Sequence, residues 1–106
     1  MKEQLISIET ANLAKEKGYI DFSKGPDYLA VVPQSVLQKW IREKHGIHIE
    51  IYANASGWGW ILTKCGYNGS TIKEIEDDVF FNSYEDALEA GLEITLNQIN
   101  NDKKRN

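Results

Sequence analysis

Between residues 33 and 52 the chain reads PQSVLQKWIREKHGIHIEIY, and its apolar period changes at Gly46. Before the glycine, Val36, Leu37, Trp40 and Ile41 follow the i, i+1, i+4, i+5 spacing of one buried helical face. Gln38, Lys39, Arg42 and Glu43 fall on the other face. Pro33 suits a first helical turn, where its missing N–H costs nothing. His45 stands in the last turn and Gly46 stops the helix. After the glycine the period is two: Ile47, Ile49 and Ile51 point one way, and His48, Glu50 and Tyr52 the other. A helix that runs directly into a half-buried strand commits the chain to an α+β fold.

The remaining elements follow from the same signals. Ser7 as N-cap and Gly18 as C′ residue bracket a short helix from Ile8 to Lys17, with Ile8, Ala11 and Ala14 on one side. Residues 19–32 are irregular around Gly25-Pro26, and Leu29 to Val32 read as a short strand. The loop from Asn54 to Gly57 turns the chain into a second strand. Trp58, Trp60 and Leu62 share one face of that strand, with Ile61 and Thr63 on the other. Asn68-Gly69 is a two-residue hairpin signal leading to a third strand near Ser70. A tight turn there pairs Cys65 with Ile72 but Leu62 with Ile75, on opposite faces, so a bulge is expected. Val79 to Phe81 extend this strand or add a fourth.

Ser83 with Asp86 three residues on opens a last helix like a capping box. Tyr84, Leu88, Leu92, Leu96 and Ile99 run down its apolar side. Gly91 sits in mid-helix at a cost of about 1 kcal/mol against alanine, and is expected to admit a close neighbour such as a strand or an indole. The expected architecture is a three- or four-stranded antiparallel meander packed against two helices, with an extra N-terminal helix. Residues 1–100 form a single globular domain, and 101–106 a polar, frayed tail.

Charge and composition exclude several functions. The formal net charge of −4 argues against a strongly electrostatic nucleic-acid binder. Cys65 is the only cysteine, so there is neither an intrachain disulfide nor a thiolate metal cage. MKEQLISIET has no apolar run for a signal peptide or a membrane span, and a reducing cytoplasm is the natural setting. In that setting the sequons at Asn54 and Asn68 mark turns and not glycosylation.

No catalytic constellation emerges. Ser35, Ser56, Ser70 and Ser83 lie in cap or turn positions. His45 and His48, with Glu43 and Glu50, invite a metal reading, but the helix-to-strand break removes any fixed ligand spacing and no third His exists. Glu74, Glu76, Asp77 and Asp78 read as a solvated acidic sheet edge. Gly57 and Gly59 precede a strand and not a helix, so they cradle no phosphate. No metal and no cofactor is expected.

The aromatic residues carry the one hint of a ligand. Trp58 and Trp60 are either core under the last helix or a platform that stacks a flat ligand or a partner's side chain. In the second case Tyr52 and His48 join the surface, and Arg42 or Lys64 meets charge. On a regular strand both indoles share one face, so both are core or both are exposed.

Three blocks, ETANLAKEKGY, VPQSVLQKWIREKHGIHIEI and SYEDALEAGLEITLNQI, together cover about half of the chain. They resemble a family of small uncharacterised proteins encoded by phages, prophages and mobile elements of gut anaerobic bacteria. The resemblance implies a small accessory protein made in the cytoplasm of a bacterial host. It carries no catalytic residues over, and residues 54–78, with the tryptophans, lie outside the matching blocks.

Two functions compete. The first is a non-enzymatic accessory binding protein that engages a host protein or sequesters a small nucleotide-type signal used in host defence, with a homo-oligomer compatible with either. The second is a DNA-binding accessory protein in which residues 7–46 form a helix-turn-helix-like unit resembling the excisionase type, with Lys39, Arg42, Lys44 and His45 facing phosphate. The α-β-β-β-α order from Pro33 onward copies the double-stranded-RNA-binding domain. That domain needs basic residues where this chain has Ser83-Tyr84-Glu85-Asp86.

Overall fold

In a computed structural model of the chain, residues 4–19, 28–65, 71–74 and 80–104 are described. The Gly25-Pro26 break, the Asn68-Gly69 turn and the acidic positions 76–78 lie outside them. The class is α+β: helices α1 (Ile8–Glu16), α2 (Gln34–His45) and α3 (Tyr84–Lys104) accompany an antiparallel sheet of β1 (Ile47–Asn54), β2 (Gly57–Lys64) and the short β3 (Thr71–Glu74).

The period change at Gly46 is a sharp boundary. Gly46 adopts a left-handed conformation (φ 68°), and its N–H donates to the Arg42 carbonyl at 3.1 Å. This αL cap closes α2 and aims the next residue into β1. Pro33 stands outside the helix as its N-cap, one position before the first turn. Leu37 and Ile41 are fully buried. Val36, expected on the same face, is 43 % exposed, and Gln34 is buried in its place. The helix is rotated so that Gln34, Leu37 and Ile41 face inward, because α2 packs on β1 and α3 together.

β1 and β2 pair along their whole length, from Ile47 opposite Lys64 to Asn54 opposite Gly57. A two-residue turn joins them, with the Ser56 N–H donating to Asn54 Oδ1 at 2.8 Å. β3 adds only Ile61–Glu74, Leu62–Lys73 and, across a bulge, Thr63–Thr71. A bulge is present as expected, but it falls between Leu62 and Thr63 and sets Leu62 opposite Lys73, not Ile75. Among the described residues Phe81 makes one bridge to Trp58, through two 2.9 Å hydrogen bonds, in place of a fourth strand. The sheet is therefore a full-length hairpin with a short third strand, less than a regular three- or four-stranded meander.

α3 lies across β1 and β2 and supplies more of the core than any other element, with Leu88, Leu92, Leu96 and Ile99. Its start is capped as expected, the Asp86 N–H donating to Ser83 Oγ at 3.1 Å. A Cβ on Gly91 would stand 2.9 Å from Ile49 Cγ2 and 3.5 Å from Trp60 Cβ, so both strand and indole occupy the space the glycine leaves. The helix continues to Lys104, past the expected start of a polar tail at 101, since no Gly or Pro stands between Ile99 and Lys104.

α1 packs on α3. Ser7 caps it, accepting from the Thr10 N–H at 3.1 Å. Thr10, Ala11 and Ala14 face inward, while Ile8, expected in that stripe, is 60 % exposed. Before it, residues 4–6 run antiparallel to 32–34: the Ile6 N–H donates to the Val32 carbonyl and the Gln34 N–H to the Gln4 carbonyl, both at 2.9 Å. Of the expected strand at 29–32 only Val32 pairs, in a short ribbon bridged at Leu5 and Pro33 and not in the main sheet.

Candidate functional site

The six residues expected to form a ligand surface do not converge. Trp60 is 4 % exposed and packs in the core beneath α3, opposite Ile51 on β1. Trp58 stands on the same side of β2 but only half-buried, at the end of the sheet where α3 begins. There it meets the Tyr84 ring edge-on at 5.8 Å. The indoles share a face, as the strand period requires, yet not the same burial. α3 reaches over one and starts beside the other.

Tyr52 and His48 fall on the opposite side of the sheet by the same alternation. The Tyr52 ring lies over Gly59, where a Cβ would come within 2.6 Å of it, and meets Phe80 edge-on at 6.4 Å. His48 is half-buried, and its Nδ1 is buried without a hydrogen-bond partner among the described residues. Arg42 is half-buried in the last turn of α2, and Lys64 is exposed at the far end of β2, opposite Ile47. An aromatic platform made of Trp58, Trp60 and Tyr52 is thus excluded by geometry: one ring is in the core and the other two are on opposite faces. His45, the other histidine, sets its ring against Trp40 at 5.0 Å. Among the described residues no group of three or more His, Cys, Asp or Glu is placed to hold a metal ion. No helix among them is long and apolar enough to cross a membrane.

A different surface is built at the ribbon. Alternation along the extended segments turns Ile6 and Val32 toward the core and Leu5, Val31 and Pro33 away from it. Leu5 is 51 % exposed and Val31 37 %. Val36 joins them from the first turn of α2, its N–H bonded to the Pro33 carbonyl at 3.0 Å. Leu5, bridged to Pro33, Val31, two residues before it, and Val36, bonded to its carbonyl, are thus three exposed apolar residues on main chain next to Pro33.

What holds this surface in place is the carboxylate of Glu89, on α3. Its Oε2 accepts from the Ser7 N–H at 2.8 Å and the Thr10 hydroxyl at 2.5 Å. Its Oε1 accepts from the Gln34 amide at 2.9 Å, and the same amide nitrogen donates to the Glu85 carbonyl at 2.9 Å. One side chain thus ties the residue after each strand of the ribbon, and the positive end of α1, to α3. Burial alone would raise the Glu89 pKa, but the hydrogen bonds from Thr10, Ser7 and Gln34 outweigh it and hold the carboxyl below its ordinary value of 4.5. One turn on, Glu93 is pushed the other way, by burial and then by the charges of Glu89 and Glu9.

Neither Glu89 nor Gln34 stands out in the sequence, where both read as polar helix positions. Val36 lies one step around the helix from the face its spacing suggests. An apolar pair beside a proline, at Val31-Val32-Pro33, is the available signal that one valine faces outward. No family model, curated protein or solved structure matches the chain.

Proposed function

We propose that this chain is a non-enzymatic accessory protein that acts by binding another protein through the apolar surface around Pro33. The observation that carries the reading is the exposure of Leu5, Val31 and Val36, on the ribbon and the main chain that flanks Pro33, beside the attachment of Ser7 and Gln34 to α3 through Glu89. Singly exposed apolar residues are ordinary, whereas grouped ones on a rigid support suit a partner's apolar side chains. A preformed surface also limits the ordering cost of association. In the phage or mobile-element setting that the resemblance implies, the partner is a protein of the bacterial host.

Sequestering a nucleotide-type signal is less well supported, because it needs convergent aromatic groups in a concave site. Trp58, Trp60 and Tyr52 are divided by burial and by the sheet. The DNA reading is less well supported for a geometric reason. α1 packs on α3, and α2 on β1 and α3, without the direct α1–α2 packing of a helix-turn-helix among the described residues.

The test is affinity capture from lysates of gut anaerobes with the natural chain and a Leu5→Ser/Val36→Ser variant. Both positions are exposed, so the variant should keep its circular dichroism and melting temperature. The expected result is a host protein retained by the natural chain and lost by the variant. Identical retention by both would refute the proposed surface. In parallel, calorimetric titration with cyclic and ADP-ribose nucleotides should give no saturable heat, and a saturable response would favour the nucleotide reading instead.

A further inference from the structure

Given the binding surface around Pro33, we infer that its partner is a protein segment whose apolar side chains are flanked by lysine or arginine, the cations facing Glu9, Glu85 and Glu93. Charge around this surface is one-sided. Residues 4–14, 28–38 and 80–99 build the ribbon, the starts of α1 and α2 and most of α3. They hold Glu9, Glu85, Asp86, Glu89 and Glu93, and no lysine or arginine. These five of the sixteen acidic residues exceed the whole net charge of −4. Lys2 and Glu3, just before residue 4, cancel each other in charge. The bases of α1 and α2 stand toward the other ends of those helices, at Lys15, Lys39, Arg42 and Lys44.

The carboxylates flank the apolar residues along the chain and across it. The Glu85 carbonyl accepts from the Gln34 amide at 2.9 Å, and Gln34 stands between Pro33 and Val36. Glu9 lies four residues after Leu5, just past Ser7, whose N–H donates to Glu89. Helix polarity accounts for some of these charges: Glu9, Glu85 and Asp86 are exposed in first turns, where a negative charge suits the positive end. Glu89 is met by Ser7, Thr10 and Gln34. Glu93 has neither role. It is half-buried one turn beyond Glu89, a like-charge spacing that destabilises a helix, and Glu9 adds its charge from α1. Among the described residues no base pairs with Glu9, Glu85 or Glu93. The free chain carries this repulsion, and a cation brought by a partner relieves it.

Charge and shape together select the partner. Nucleic acid and an anionic lipid surface are repelled by the carboxylates. A bare polycation brings nothing to cover Leu5, Val31 and Val36. Glu85 and Glu93 are separated by about 12 Å along α3, the reach of about four extended residues. Cations on either side of a short apolar stretch therefore meet both. In such a contact the apolar centre holds the complex, and the rim charges set association rate and partner choice.

Fluorescence anisotropy of labelled synthetic peptides with the full chain tests this. Three sets share a leucine- and valine-rich centre and are flanked by lysine and arginine, by glutamine or by glutamate. A fourth keeps the basic flanks around a serine centre. The basic apolar set should bind at least about tenfold more tightly than the glutamine-flanked set at low salt, with the gap closing as salt rises. The glutamate-flanked and serine-centred sets should not bind. Glu9→Gln/Glu85→Gln/Glu93→Gln should erase the preference, and Leu5→Ser/Val36→Ser should abolish binding of every set. The inference is overturned if the basic apolar set does not bind, or binds no better than the glutamine-flanked or the serine-centred set. A preference that survives the triple glutamine variant overturns it too. Binding that needs Leu5 and Val36 but ignores flanking charge overturns only the basic partner and leaves the surface standing. Binding unchanged in Leu5→Ser/Val36→Ser overturns the surface itself. Should the triple variant fail to keep its circular dichroism, the four peptide sets and the salt dependence with the natural chain decide alone.

Discussion

Replacing Glu89 with glutamine should loosen the attachment of the ribbon and α1 to α3. The side chain keeps its size, but one of its two acceptor oxygens becomes an NH₂ donor. If the remaining carbonyl serves Ser7 and Thr10, the new NH₂ faces the Gln34 amide nitrogen, donor against donor. Gln34 cannot relieve this by flipping, because the same nitrogen serves the Glu85 carbonyl. If the carbonyl instead serves Gln34, the Ser7 N–H and the Thr10 hydroxyl lose their acceptor. Either way at least one partly buried donor is stranded and the charge assistance is lost. For a half-buried carboxylate this costs about 1–3 kcal/mol.

The assay is urea unfolding of both proteins, followed by circular dichroism and tryptophan fluorescence, at neutral and acid pH. Glu89 has a folded pKa below its ordinary 4.5. Its ionised form therefore adds stability that is fully present above that ordinary value and is lost as pH falls through the lowered folded value. The stability difference between the natural chain and the Glu89→Gln variant should be full at neutral pH and shrink only as pH falls below 4.5. A difference under about 0.5 kcal/mol at neutral pH would refute the clamp, and so would one that does not change in acid.

Two further outcomes follow from the same packing. Glu93 has a raised folded pKa, from burial and then from Glu89 and Glu9, so its protonated form favours the fold and that advantage is lost as pH rises through the raised value. Glu93→Gln should therefore stabilise at neutral pH by about 0.5 kcal/mol, the scale of one relieved like-charge helix pair, and the gain should vanish in acid; urea midpoints across pH check this. Gly91→Ala gains about 1 kcal/mol of helix propensity but drives a methyl to 2.9 Å from Ile49 Cγ2. Overpacking of about 1–3 kcal/mol should make the net effect destabilising, read as a lower melting temperature.

The boundaries of this fold are legible in the sequence because their causes are local. Gly46 sits between two apolar periods, Ser83 stands three residues before Asp86, and the Asn54–Gly57 turn fixes the hairpin register. Gly91 announces a close neighbour because a mid-helix glycine needs a reason, and both Ile49 and Trp60 supply it. The site is far less legible. Glu89 finds Ser7 across 82 residues of chain and Gln34 across 55, so no local pattern points to the clamp. The exchange of Val36 for Gln34 on the inner face depends on where α2 meets β1 and α3, a tertiary fact. Alternation places Trp58 and Trp60 on one face of β2, but their different burial depends on where α3 begins.

Site-specific photo-crosslinking in a bacterial host tests the binding surface most directly. A benzophenone side chain placed at Val36 is compared with one at Asn97, an exposed position on α3. The account predicts a discrete protein adduct from position 36, absent from position 97 and lost when Leu5 is changed to serine. No adduct from position 36, or the same adducts from both positions, would contradict a partner surface around Pro33.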